Sequence, residues 1–434
     1  MFEAGYSLNR KDFFENIGAI TLYAMVGTII STFVVGLLVF YMAKQGLIKD
    51  IDKENPMEAL LFGALISAVD PVATLSIMGN ADLQVNPLLY SLVFGESVLN
   101  DAIAVVLFKT FHRYYSPEGP EWREAEIPAA LLAFVTVTIL SIAVGVFLGL
   151  TASFMYKHTQ LSEYPKFETS LLFCFCYLCY SIAESMELSG IMAIFFQGII
   201  LSHYNSYNLS PAAHVASEQI FSTLATITET AVFLYMGMGV FTGRFANWDI
   251  LFSILALSFC VLGRILNIFP LSVIANLCRK KRTDRITCKM QGVLCFAGLR
   301  GAIAFALSEN MPGPNKDVYA TATLSICIFT TIVCGGLTDK VLTLTDMKSI
   351  DDADVDTDHE EAESLSHLHL PSRQMSGRVY AGVKGVWKDF DNRYLKQLFG
   401  GSRSVRSGAS RVNVDDHGHY EMTRAHTNSL DEDE

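Results

Sequence analysis

Long apolar stretches, each interrupted by only a few polar residues, follow one another along most of the chain. They predict ten helical spans, at roughly 14–43, 57–79, 87–112, 127–156, 167–186, 188–203, 214–243, 247–277, 287–308 and 318–345. A hydrocarbon core of about 30 Å takes roughly 20 apolar residues per helix. The stretches 17–43, 127–156 and 318–338 exceed that length without one Asp, Glu, Lys or Arg, and the shorter 169–183 and 188–202 are equally free of charge. Period-two alternation is absent, which argues against a membrane barrel. The pattern predicts an all-α multi-pass membrane domain over residues 1–345, followed by a polar tail over 346–434.

Composition agrees with this reading. Of 434 residues, 51% are hydrophobic and 18% are charged, against about 25% charged in soluble globular proteins. The net charge of −12 owes much to the run DDADVDTDHEEAE at 351–363, a solvated stretch rather than a binding field. Membrane lipid is therefore the expected environment, and no nucleic-acid partner is indicated. The nine cysteines show no metal-ligand spacing, and Cys174, Cys176 and Cys179 read as packing residues of one helix. No nucleophile–base pair or phosphate-binding loop suggests an enzyme, and no cofactor is expected beyond transported ions.

The charges between spans suggest an orientation. The 278–286 loop carries Arg279, Lys280, Lys281, Arg282 and Arg285, which favours the cytoplasmic side. Counting spans from there puts the tail and the N-terminus in the cytoplasm. The acidic 113–126 loop then lies outside or in a lumen, although Lys44, Lys49 and Lys53 fall on that side as well. On this topology the Asn208-Leu209-Ser210 sequon faces the cytoplasm and is not glycosylated. The start, MFEAGYSLNRKDFF, does not resemble a signal peptide, so either the first span serves as its own insertion signal or the chain is truncated. In the tail, residues 348–375 read as disordered. Residues 385–399, with Trp387, Phe390, Tyr394, Leu395, Leu398 and Phe399, suit a short amphipathic helix for a partner or the membrane surface. Local collapse within the tail is the plainer alternative.

Seven ionisable residues within the spans stand out as candidates: Asp70, Glu96, Asp101, Glu184, Glu229, Arg264 and Arg300. Insertion scales charge about 2.5–3.5 kcal/mol for such a group at a helix centre, and it usually marks an ion path or an internal pair. The strongest cluster is Phe94-Gly95-Glu96-Ser97-Val98-Leu99-Asn100-Asp101. On a helix Glu96 and Asn100 share one face, and Ser97 and Asp101 a neighbouring one. Asp101 can offer a carboxylate to Na⁺ or K⁺, with the Ser97 hydroxyl and the Asn100 amide oxygen nearby. Loss of water disfavours the charged form of any carboxylate, so one such group can hold a proton or a cation in turn. That competition is the least chemistry an antiporter requires.

Asp70 precedes Pro71, which removes a backbone donor and disfavours helix at the residue before it. A second candidate break is Ala297-Gly298-Leu299-Arg300-Gly301. Transporters use discontinuous helices of this kind to bind ions; a proline kink and a glycine packing seam are the plainer readings. Glu96 is the expected partner of Arg264, as a structural pair. Arg300 is expected either to neutralise carbonyl ends at the breaks or to pair with Asp70. Glu184 and Glu229 line a pathway or serve as structural acids. His203, at the end of a span, reads as an interfacial residue.

The segments FGESVLNDAIAVVLF, ISAVDPVATLSI and GLRGAIAFAL resemble the signature segments of the sodium/proton exchangers of the cation/proton antiporter superfamily. GRILNIFPLS, HYNSYNLSP and FDNRYLKQLF are more similar to the organellar branch (endosome, Golgi or vacuole) than to the plasma-membrane branch. The resemblance covers residue 2 to about 345, with a weaker echo to 399. It implies a homodimer, inverted repeats, two crossed discontinuous helices and one-for-one electroneutral exchange of Na⁺ or K⁺ for H⁺. Residue by residue, it implies that Asp101 is the essential carboxylate with Asn100 beside it. Asp70 becomes the acid of one broken helix, Arg300 the arginine of the other, and Glu96 with Arg264 a core ion pair. Members with Asp in place of Asn100 tend to be electrogenic, so Asn100 favours the electroneutral mode. Members usually carry two or three further spans ahead of a segment like MFEAGYSL, on the dimerisation side, which leaves the dimer an open expectation. A passive cation channel and an inactive dimer partner are the competing hypotheses. The absence of a repeated pore-lining ring argues against the channel.

Overall fold

The computed structural model describes residues 1–8, 10–48, 56–79, 85–115, 126–159, 161–241, 248–279, 285–345 and 391–399. All regular structure among them is helical. Seven helices are long and apolar enough to cross a membrane: Lys11–Lys44, Pro87–Arg113, Leu132–His158, Pro165–Ser185, Pro211–Phe241, Ile250–Leu277 and Lys316–Leu344. The remaining predicted spans are one shorter helix, Gly190–Tyr204, and two that the chain breaks in the middle.

In chain order, α1 (Phe2–Tyr6) is a short helix outside the ten expected spans. The first span is α2 (Arg10–Thr21), a π-helical stretch Leu22–Gly27 and α3 (Thr28–Lys44). The second is split into α4 (Met57–Ser67) and α5 (Val72–Met78), and the third is α6 (Pro87–Tyr114). Then follow α7 (Glu126–His158), α8 (Pro165–Ser185), α9 (Gly190–Tyr204), α10 (Pro211–Phe241) and α11 (Ile250–Cys278). The ninth span is split into α12 (Cys288–Phe296) and α13 (Ala302–Ser308). The tenth runs from α14 (Lys316–Phe329) through the π-helical Thr330–Cys334 into α15 (Gly335–Leu344). Several starts are written in the sequence. Asn86 caps the Leu88 N–H ahead of Pro87, and Ser189, Asp249 and Thr287 each accept an N–H of the first turn that follows.

The order long helix, broken helix, long helix occurs twice, as α2–α6 and as α11–α15. Corresponding elements are offset by seven spans, with six between them, and an odd offset reverses direction, so the two units run in opposite senses and form inverted repeats. Helix α6 lies at the centre, with 94% of its most apolar stretch buried, whereas α10 has only 11% buried. The outward side chains of the peripheral helices are apolar, including Phe147, Tyr177, Leu234 and Leu277, as a surface against lipid requires. Within the bundle α1 and α7 pack on α9, α3 packs on α4, and α11 packs on α3 and α14.

Of the tail, only 391–399 is described. It forms a π-helical turn, Asp391–Leu395, continued by α16 (Lys396–Phe399). This piece lies on the ends of α7 and α9 and the Asn205–Tyr207 turn. Tyr204 donates to Asp391 (2.6 Å), His203 Nε2 lies 3.1 Å from the same carboxylate, and Asn208 Nδ2 donates to the Phe399 carbonyl (2.8 Å). The aromatic residues of the expected amphipathic segment thus include Phe399 stacked edge-on near Phe154 and Tyr204. The stretch 348–375 expected to be disordered, residues 385–390 and most of the acidic 113–126 loop lie outside the described residues.

Candidate functional site

Two breaks meet beside α6. At the first, α4 stops at Ser67 because Ala68 turns to φ −58°, ψ 129°, and helix resumes only after Pro71. At the second, α12 ends at Phe296 and α13 begins after Gly301, which is extended at φ −142°, ψ −153°. The Asp70 N–H donates to the Leu299 carbonyl (2.9 Å), so the two helices cross at their breaks. The Asp70 carboxylate accepts N–H groups from Val72 and from Ala302, the first residues of both resumed helices. An acid at two helix starts answers donors that have no helical partner. Gly301 permits this approach, since a Cβ there would run into the Asp70 carboxylate.

Arg300 is 1% exposed. It takes the first of its two expected roles: Nη1 donates to the carbonyls of Ser67 (3.0 Å) and Ala68 (3.1 Å), at the buried C-terminal end of α4. A guanidinium at a helix C-terminus meets the negative end of its dipole. Arg264 forms a buried ion pair with Glu96, and its Nη2 donates to the Leu294 carbonyl (2.6 Å) near the end of α12. Gly298 leaves room for this arginine, because a Cβ there would lie 2.5 Å from Nε.

On α6, Ser97 Oγ donates to the Val69 carbonyl (3.2 Å). The Val69 N–H donates to Asn100 Oδ1 (2.8 Å), and Asn100 Nδ2 donates to Thr28 Oγ1 (2.6 Å). Both ends of the Asn100 amide therefore hold protein, tying the first break to α6 and α3. One lone pair of its oxygen remains. Asp101 is the acid of this group with an unmet oxygen; Arg264 Nε and Arg300 Nε are also buried without partners among the described residues, but those guanidiniums are held through their other nitrogens. Asp101 is 6% exposed, and its Oδ1 is buried with no hydrogen-bond partner among the described residues. Asp70 and Arg300 are within electrostatic reach of it. No cluster of three or more His, Cys, Asp or Glu side chains among the described residues could hold a metal ion. Carboxylate, hydroxyl, amide and backbone carbonyl oxygens, the groups carried by Asp101, Ser97, Asn100 and Val69, are of the kind that suits a hard cation.

The two remaining acids are placed apart. Glu184 forms an ion pair with Lys109 (2.7 Å) and accepts the Gly190 N–H (3.0 Å), at the far ends of α6 and α8. Glu229 is half-buried on α10, within electrostatic reach of Asp70 and Glu3. The sequence reading overlooked Lys109 and the two threonines that support the breaks, Thr28 and Thr330. Thr330 Oγ1 accepts the Arg300 N–H (3.1 Å). Threonines are frequent in apolar helices and satisfy themselves on the preceding turn, so their type alone gives no signal. A π-helical insertion next to each is the structural mark, and it is invisible in the apolar pattern.

A family profile described as the transmembrane part of sodium/hydrogen exchangers matches residues 1–344. Sodium/hydrogen exchanger 8 of Rattus norvegicus is 40% identical over 354 residues, covering 80% of this chain and 60% of that protein. Sodium/hydrogen exchanger 9 of Homo sapiens is 35% identical over 404 residues, covering 92% of this chain and 62% of that protein. The chain thus spans about 60% of the length of the curated relatives it matches. Among solved structures, the sodium proton antiporter MjNhaP1 from Methanocaldococcus jannaschii superposes with a TM-score of 0.62 at 16% identity, over 79% of this chain and 82% of that one. At that identity the likeness is one of fold.

Proposed function

Because the chain belongs to the sodium/hydrogen exchanger family, we propose that it exchanges a monovalent cation, Na⁺ or K⁺, for a proton across a membrane, with Asp101 binding the two in turn. The carrying observation is the contrast among the buried charges. Glu96, Arg264, Arg300 and Asp70 are each held by protein through their charged groups, even though Arg264 Nε and Arg300 Nε lack a partner of their own among the described residues, while Asp101 has a buried carboxylate oxygen with none. A buried carboxylate oxygen without a donor is costly unless a proton or a cation completes it. Asn100, Ser97 and Asp70 shape the site and offer further oxygens. Glu96 with Arg264, and Arg300 with Pro71, Gly298 and Gly301, hold the breaks in place. Glu229 lines the approach from α10.

Exchange is electroneutral on this reading, since one carboxylate carries either one proton or one monovalent cation. Residues 1–345 form the exchanger domain and 346–434 a cytoplasmic regulatory tail, in an organellar membrane, where the protein sets lumenal pH and cation content. A homodimer and a tail partner are further parts of the proposal, resting on the resemblance. The protein is a carrier and no enzyme.

The test is proton flux in proteoliposomes under Na⁺, K⁺ or Li⁺ gradients. Wild-type protein should couple cation flow to proton counter-flow, and Asp101→Asn should abolish it while keeping the fold. Full flux in Asp101→Asn, or cation conductance without counter-flow, overturns the assignment.

A further inference from the structure

The two inverted repeats hold their broken helices by the same device. In the first, α6 supplies two side chains three positions apart. Ser97 Oγ donates to the carbonyl of Val69, and Asn100 Oδ1 accepts the N–H of Val69, at 3.2 and 2.8 Å. In the second, the tenth span supplies two side chains at the same spacing. Cys327 Sγ donates to the carbonyl of Gly301, and Thr330 Oγ1 accepts the N–H of Arg300, at 3.4 and 3.1 Å. All four side chains are buried. The residue that follows Asn100 is Asp101, and the one that follows Thr330 is Thr331. The second repeat thus keeps the clamp and places a hydroxyl where the first has an acid.

We propose that Thr330 is a positioning residue for cation–proton exchange, the counterpart of Asn100 in the second repeat. Its hydroxyl accepts an N–H that has no helical acceptor, because α12 has already ended at Phe296. It thereby fixes the backbone from which Arg300 reaches the Ser67 and Ala68 carbonyls. Arg300 in turn sets part of the field at Asp101. The hydroxyl proton of Thr330 is used nearby, on the Cys327 carbonyl (3.2 Å) or the Arg300 carbonyl (3.3 Å). Thr330 touches no transported ion, so its effect on exchange runs through Arg300. The inference rests on the reading of Asp101 as the exchange site.

Thr330→Val removes the acceptor and keeps the branched shape. In the full chain in proteoliposomes, it should raise the apparent cation KM roughly three- to tenfold, the worth of one hydrogen bond. It should also displace the pH of half-maximal exchange, because a shifted Arg300 alters the balance between proton and cation at Asp101. Thr330→Ser should restore both. Hydrogen exchange at the 297–301 backbone should quicken in Thr330→Val and return to normal in Thr330→Ser. If Thr330→Val does not accumulate, Thr330→Ala removes the same oxygen without a new buried methyl and carries the same measurements. A wild-type KM and pH profile in the oxygen-free variant, or an equal defect in Thr330→Ser, overturns the inference. If the wild-type chain itself shows no coupled flux, the reading of Asp101 falls and the hydrogen-exchange comparison alone decides the role of Thr330.

Discussion

The backbone N–H of Asp70 donates to the carbonyl of Leu299 across 2.9 Å, joining the two broken helices at their breaks. The same junction carries the Asp70 carboxylate on Ala302 and the Arg300 guanidinium on Ser67 and Ala68. Each break therefore satisfies polar groups that the other exposes. Irregular backbone survives at membrane depth only where protein or a water-filled cavity supplies partners, and here each helix supplies them to the other.

Gly301→Ala should separate the crossing. Its Cβ would collide with the Asp70 carboxylate, and overpacking of this kind costs about 1–3 kcal/mol. A lowered Tm in detergent together with lost exchange in vesicles is expected. Normal values for both would mean that the helices cross less closely than described.

The Glu96–Arg264 pair predicts a larger loss. Both side chains are buried, at 3% and 5% exposure. Removing one partner strands the other, at a cost of about 3–5 kcal/mol. Glu96→Gln and Arg264→Met should each lower Tm sharply, and the reversed pair Glu96→Arg with Arg264→Glu should recover part of the loss. Single variants with unaltered Tm would show the pair to be dispensable.

Lys109 and Glu184 provide the contrast. Their side chains are 40% and 33% exposed, and pairs in such settings contribute about 0–1 kcal/mol. Lys109→Met should cost no more than that, so Tm should change little. A drop as large as that of Arg264→Met would show that this end of α6 is far less open to solvent or headgroups.

Asp391 anchors the described part of the tail through Tyr204 and His203. Asp391→Ala should make residues 391–399 more susceptible to limited proteolysis in the purified full chain. The Tm of the bundle should change little, since the loss is confined to one bundle end. Unaltered cleavage would indicate that Phe399 and Asn208 suffice to hold the segment.

Asn100→Leu should free the Val69 N–H and leave the Thr28 hydroxyl without its donor. A buried unsatisfied group costs about 1–3 kcal/mol. Lower Tm and impaired exchange are expected together, and a variant with normal exchange would remove Asn100 from the site.

The sequence by itself determined the spans, because the cost of an apolar residue in water and of a charge in lipid is paid residue by residue. It also marked the two breaks, since Pro71 and the glycines around Arg300 act on their own backbone, and it singled out Asp101 and its neighbours as charges too costly to be incidental. Several decisions needed the folded chain. Helix ends shifted by a few residues where caps such as Asn86 and Asp249 set them, and α1 appeared because α9 offers it a surface. Arg300 had two plausible partners in the sequence, Asp70 or the carbonyl ends. The crossing chose the carbonyls, because Asp70 was already answering two helix starts. Glu184 drew Lys109 from another helix. Thr28 and Thr330 gained their roles from π-helical neighbours and from breaks far away in the chain. Local chemistry fixes what a residue costs. Which distant group meets that cost is settled only when the helices cross.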